Sequence, residues 1–302
     1  MNFASPRYPR GLFSCYTGRE RGVDGSVKRH STALYDFIPL PLYRSSMPQL
    51  IGPGDLIIAS WQNFRRNIRM YAEFLVWFTM LAVIQWVIWA ATRALIPEAV
   101  MRSMVLAILT LPTALVVMGL TAALIDATAK GVQKKAVDVR AALSAGVHKL
   151  FPFVWISILV SLITIFGFTL LIVPGVIFLV WYRFSQNFAV VDGIGGVAAL
   201  GASKRLVAGR FWAVFVRIVL PGLFFFVTAS FTKAVAYLLI GSAMGDPGLF
   251  FGQASNVDEL SNTHTMITSV VPQIVNGMAL PLFLGADILL WLDLKKTLGS
   301  PS

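Results

Sequence analysis

Acidic residues are scarce: 14 in a chain of 302, beside one cysteine, Cys15, and three histidines, His30, His148 and His264. Each shortage excludes a class of chemistry. One cysteine cannot close an intramolecular disulfide, and it fits a reducing, cytoplasmic tail. No Cys/His spacing suits zinc, and neither a His-Glu-x-x-His helix nor a Gly-x-Ser-x-Gly elbow is present. The reading is therefore a non-enzyme with no catalytic, cofactor-binding or metal residues. Charge as a whole is thin, 13% of residues, against about 25% in soluble domains.

What fills the space is apolar, 57% of the chain. Four stretches carry no charge at all: Phe74 to Thr92, Ser103 to Ile125, Leu150 to Tyr182, and Thr265 to Ala286. Each is long enough for about 30 Å of hydrocarbon at 1.5 Å per residue. The expected fold is all-α: a polytopic membrane bundle of six transmembrane helices. Its spans are read at about 71–92, 103–125, 152–171, 174–191, 214–238 and 266–291. The third and fourth share one unbroken apolar run, and Pro174-Gly175 is the expected break between them.

The formal charge of +11 invites a nucleic-acid reading, but its distribution argues for topology. Ten basic residues fall in the first seventy positions, five from Lys130 to Lys149, five from Arg183 to Arg217, then Lys295 and Lys296. Rich and poor segments alternate, as the positive-inside bias requires. The expected location is a bacterial plasma (inner) membrane, with both termini cytoplasmic and the acidic 241–265 loop (Asp246, Asp258, Glu259) outside. The expected partners are membrane lipids, with no nucleic acid. Residues 1–46 lack a sustained apolar period and read as a disordered tail, or as an over-extended start preceding Met47. Residues 47–296 form the membrane domain and 297–302 a short tail.

A short basic segment with helical spacing precedes each outward-going span: "GDLIIASWQNFRR", "AVDVRAALSAGVHK" and "GGVAALGASKRLVAGR". This suggests three pseudo-repeats, each an interfacial amphipathic helix followed by a transmembrane hairpin. The third segment also holds Gly193-x-Gly195-x-x-Ala198, the outline of a dinucleotide turn. That motif needs a preceding strand and an acid about 20 positions on, and here membrane spans flank it. Small residues suited to close helix packing are the better account. Lys204, Arg205 and Arg210 are then candidate contacts for anionic lipid headgroups.

Several residues of this half form a pattern: Pro174 and Gly175 opening a span, Arg183, Asp192 closing a Val-rich run, then Ser203, Leu206, Gly209 and the Phe211-Trp212 pair. Together with "LLWLDLKK", which contains Asp293 and Leu294, and the early "IIASWQNFRRN", the chain resembles the membrane domain found beside some glycerophosphoryl diester phosphodiesterases, as a stand-alone member. The resemblance covers roughly residues 50–296. It implies a six-span bundle and no activity, because the phosphodiesterase catalytic barrel has no counterpart here.

Ionisable and amide groups inside the spans are the remaining candidates. Glu73, Arg217, Asp287 and Asn276 are read as an intramembrane polar layer, with Arg217 and Asp287 placed to pair. Lys233 is expected to snorkel. The tryptophans cluster at or near span ends, as an interfacial belt does. The functional expectation is a membrane scaffold or accessory protein contacting anionic lipid or a cytoplasmic partner. The alternative is a small-molecule or lipid transporter using the polar layer between spans one, five and six, where Pro272 and Pro281 would bend the last helix.

Overall fold

Pro53 opens the first helix, where its missing N–H is no loss, and Asp55 and Arg65–Arg66 sit at the ends that the helix dipole favours. The computed structural model describes residues 50–244 and 262–299. The expectations for residues 1–46, for Cys15 and His30, and for Asp246, Asp258 and Glu259 lie outside the described residues. Ten helices and no strand occur among those described. They are α1 (Pro53–Arg66), α2 (Ile68–Leu95), α3 (Ala99–Val132), α4 (Val139–His148), α5 (Leu150–Leu170), α6 (Ile172–Tyr182), α7 (Ser185–Val191), α8 (Gly196–Val207), α9 (Phe211–Met244) and α10 (Asn262–Gly299).

Five of these are long and apolar enough to cross a membrane: α2, α3, α5, α9, and Met266–Thr297 of α10. Their outward faces carry Val76, Met104, Ile108, Leu162, Phe166, Phe226 and Phe231, all exposed. Surfaces of that kind are stable in lipid, and the chain is a multi-pass membrane protein.

The fourth expected span, 174–191, is not one helix. The chain reverses at Leu171, an extended residue (φ −167, ψ 155), and α6 begins at Ile172. Pro174 therefore lies in the first turn of α6, where the helix has no acceptor for its nitrogen, and causes no break. Gly175 serves packing instead. A Cβ on Gly175 would lie 2.5 Å from the Phe168 ring, and one on Gly167 would lie 2.9 Å from Gly175 Cα. Only glycine at both positions lets α5 and α6 close into so tight a hairpin.

The interruption falls nine residues later, between Tyr182 and Ser185, where Phe184 takes φ −90 and ψ 2. The cause is an inserted side chain. Ser203 Oγ of α8 donates to Trp181 O at 2.6 Å and accepts from Phe184 N at 3.2 Å. The hydroxyl replaces a rung of the helical ladder, so α6 and α7 meet at a kink, where the buried Ser185 hydroxyl is left without a hydrogen-bond partner.

α10 packs against α1, α2, α3 and α9 and organises the interior. Around its last third lies the largest cluster of buried apolar side chains, including Leu56, Ile156, Phe184, Phe188, Leu206, Val214, Leu290 and Leu294. Trp291 sits among them at 0% exposure, edge-on to Phe188 at 5.5 Å. It is a core residue, a correction to the interfacial belt expected of the tryptophans. Trp61, Trp155 and Trp212 are exposed. Elsewhere α4 closes on α3, where a Cβ on Gly146 would lie 2.6 Å from Gly119 O.

Candidate functional site: the cationic helix and its anchorage

Backbone geometry explains two of the four glycines in "DGIGGVAALGASKRL". Gly193 and Gly196 have φ of +70 and +59, and Gly209 beyond the helix has +79. A side chain at such angles is strained, so these glycines turn the chain from α7 into α8 and from α8 towards α9. The close-packing role expected of the small residues holds for Ala199, which is fully buried. It does not hold for Gly201, where an added Cβ would meet only the Arg205 guanidinium, at 3.6 Å.

α8 is two-faced. Ala199, Ser203, Leu206 and Val207 are buried, while Val197, Lys204 and Arg205 are exposed. Ser203 fixes the inner face to the α6–α7 kink. On the outer face Lys204 Nζ lies 4.5 Å from the centre of the Trp181 ring, a cation–π contact, and its ammonium has no hydrogen-bond acceptor among the described residues. Arg210 is turned inward and donates to Thr297 Oγ1 at 2.6 Å. Of the three expected headgroup contacts, then, Lys204 and Arg205 face outward and Arg210 ties α8 to the end of α10.

The residues of the expected polar layer take separate partners. Asp287 accepts from Arg183, not from Arg217. Arg217 donates instead to Ile51 O at 2.7 Å, Leu50 O at 3.1 Å and Ala213 O at 2.9 Å. Beside it, Asp293 accepts from Ile51 N at 2.9 Å. Together Arg217 and Asp293 hold the backbone leading into α1, which sequence spacing alone does not predict. Glu73 is exposed in a surface groove of about 710 Å³ that Arg66, Arg69, Lys135, Asp138 and Arg140 also line. Asn276 lies in another groove, of about 550 Å³, between α2, α3 and α10. Gln85 and Gln273 share it, and Gln85 Oε1 accepts from Thr113 Oγ1 at 2.9 Å.

The other acids of the region are also engaged. Asp192 accepts from Lys295 at 2.7 and 3.0 Å, and Lys295 covers Trp291 at 4.4 Å. Asp126, which sequence reasoning passed over, meets Lys130 at 2.6 Å and Lys149 at 3.0 Å. Its (i, i+4) spacing to Lys130 was the available signal. A second unexpected network joins α1, α2 and α3. Asn63 Nδ2 donates to Tyr71 Oη at 2.9 Å, and Arg66 donates to Gly131 O at 2.5 Å. Among the described residues no group of three or more His, Cys, Asp or Glu could hold a metal ion.

No protein-family model, curated protein or solved structure matches this chain.

Proposed function

We propose that the chain is a non-catalytic membrane scaffold or accessory protein that contacts anionic lipid through the exposed face of α8. The observation that carries this reading is the division of charge. Asp192, Asp287 and Asp293 are each engaged inside the protein, whereas Lys204 and Arg205 face outward with no carboxylate partner among the described residues. Each such cation contributes on the order of 1 kcal/mol near an acidic membrane surface. The test is affinity of protein in neutral nanodiscs for acidic vesicles. Replacing Lys204 and Arg205 with Gln lowers it; an unchanged affinity defeats the reading.

We read α6 and α7 together as the remaining pass of six. Residues 172–191 cover about 30 Å at helical rise, kink included. Six passes leave both termini on one face, the cytoplasmic face of a bacterial plasma membrane, in keeping with the clustering of Lys and Arg. The short helices α1, α4 and α8 each precede a pair of apolar segments, which supports three repeated units. The kinship to the phosphodiesterase-associated membrane domain rests on its motif positions. Arg183, Asp192, Ser203 and Asp293 each make a specific bond between elements, which gives those residue types a physical reason. Thiol labelling from either side of the membrane in a Cys15→Ala background tests the topology. Lys135→Cys reacts from the cytoplasm and Glu98→Cys from outside.

A second reading, transport of a small molecule or lipid, is favoured by the groove that holds Gln85, Gln273 and Asn276 between α2, α3 and α10. Amides on membrane-spanning helices are costly unless they hydrogen-bond. Proteoliposome flux that falls with Asn276→Leu supports this reading, and the absence of flux across a broad panel removes it.

A further inference from the structure

A groove of about 560 Å³ runs between α6, α8 and the start of α9. Ile172 and Val176 line one side, Phe215 and Trp212 the other, and Val207 is also in its lining. Lys204 is the only charged residue among those that line it, and its ammonium rests on the Trp181 ring at 4.5 Å. Trp212 is 73% exposed on the α9 side, and Ile172 is 74% exposed at the end of α6 away from Trp181. The site is thus a long apolar surface with one positive charge at one end, which is the complement of an anionic amphiphile.

The lining points to the occupant. From Ile172 to Trp181 the helix rises about 14 Å, and every residue lining the groove except Lys204 is apolar or glycine. The acyl chains of the surrounding bilayer are the first apolar occupant that such a lining meets. Charge points the same way. The carboxylates of Asp287 and Asp192 are taken by Arg183 and Lys295, so the donors of Lys204 remain for an external anion.

We propose that this groove holds one anionic phospholipid of the surrounding bilayer, with an acyl chain along α6 and α9 and the phosphate on Lys204. The proposal rests on the lipid-contact reading above and narrows it from a charged face to a single bound molecule.

Native mass spectrometry tests it on the full chain released from phosphatidylcholine nanodiscs containing a minority of phosphatidylglycerol. The expected result is one phosphatidylglycerol retained per chain in preference to phosphatidylcholine. Lys204→Gln weakens retention about fivefold, and Val176→Trp, which fills the groove from a lipid-facing position, abolishes it. Arg205→Gln leaves retention unchanged while lowering affinity for acidic vesicles. A melting temperature for each variant separates loss of lipid from loss of fold. Equal retention of both lipids, or equal loss with Lys204→Gln and Arg205→Gln, overturns the groove while the general lipid-contact reading survives. A dimer appearing in place of the lipid overturns it in favour of a second copy. Indifference of every variant to anionic lipid in both assays overturns the two readings together.

Discussion

Arg183, at the kink between α6 and α7, is ion-paired with Asp287 of α10, 104 positions further along the chain. The pair joins the broken helix to the helix that organises the interior. Removing one partner leaves the other charge without its counter-ion in a largely desolvated setting. The Arg183 side chain is 39% exposed, which moderates the penalty. Asp287→Asn is expected to cost about 1–3 kcal/mol, less than the 3–5 of a fully buried pair. The double change Arg183→Gln with Asp287→Asn should recover part of it. Thermal melting of the four proteins in one detergent gives the coupling energy; strict additivity would show that the pair contributes nothing.

The kink itself depends on one hydroxyl. Ser203→Ala leaves Phe184 N and Trp181 O without the oxygen that bridges them. Two buried backbone groups then lose a partner, at about 1–3 kcal/mol. Hydrogen exchange localises the effect. The Phe184 amide should exchange faster in Ser203→Ala while amides in the middle of α2 keep their protection. Uniform acceleration would mean the whole fold has loosened, and no change would mean the hydroxyl is dispensable.

Glycine to alanine changes separate packing from conformation. At Gly167 the new methyl meets Gly175 Cα at 2.9 Å, so backbone must move, at about 1–3 kcal/mol. At Gly209, with φ +79 and open space around it, the cost is conformational, about 1–2 kcal/mol. Gly201 sits inside α8 with room for a methyl, and alanine there should stabilise by about 0.5–1 kcal/mol. Melting temperatures of the three variants should fall into this order.

The class of this fold was legible because uncharged runs of membrane length leave few alternatives to helix. The starts of α2, α3, α5, α9 and α10 lie within four residues of the expected spans, whereas α3, α9 and α10 run six to eight residues further at their C-terminal ends. The fourth span was misjudged for a local reason. Proline breaks a helix only where an acceptor waits for its nitrogen, and in the first turn of α6 none does. The kink that does occur is made by Ser203, nineteen positions away, and nothing local in "WYRFSQ" announces it. Pairing failed to be legible in the same way. Arg217 was the expected partner of Asp287, whereas Arg183, beside the kink at Phe184, is the one that pairs with it. The glycine cluster lies between α7 and α8, with no strand among the described residues to supply the βαβ setting of a dinucleotide turn. Its positive-φ turns became clear only once α8 was seen folding back on the kink.

Arg217 and Asp293 suggest a last test, because they act on backbone and not on each other. Asp293 accepts from Ile51 N, and Arg217 donates to Leu50 O and Ile51 O, so two side chains hold three polar groups of the segment before α1. Charge-assisted bonds of this kind contribute about 1.5–3 kcal/mol each. Local opening should therefore be the first consequence of losing them. Arg217→Met removes both carbonyl contacts and Asp293→Ala removes the amide contact. In each variant the Ile51 amide should exchange faster, and a protease should cut more readily on the N-terminal side of Pro53. α1 remains anchored from its middle by Ser60, whose hydroxyl donates to Leu282 O at 2.6 Å, so amides beyond Ser60 should keep their protection. Equal acceleration on both sides of Ser60 would instead mean that residues 50–51 and the whole of α1 open as one unit.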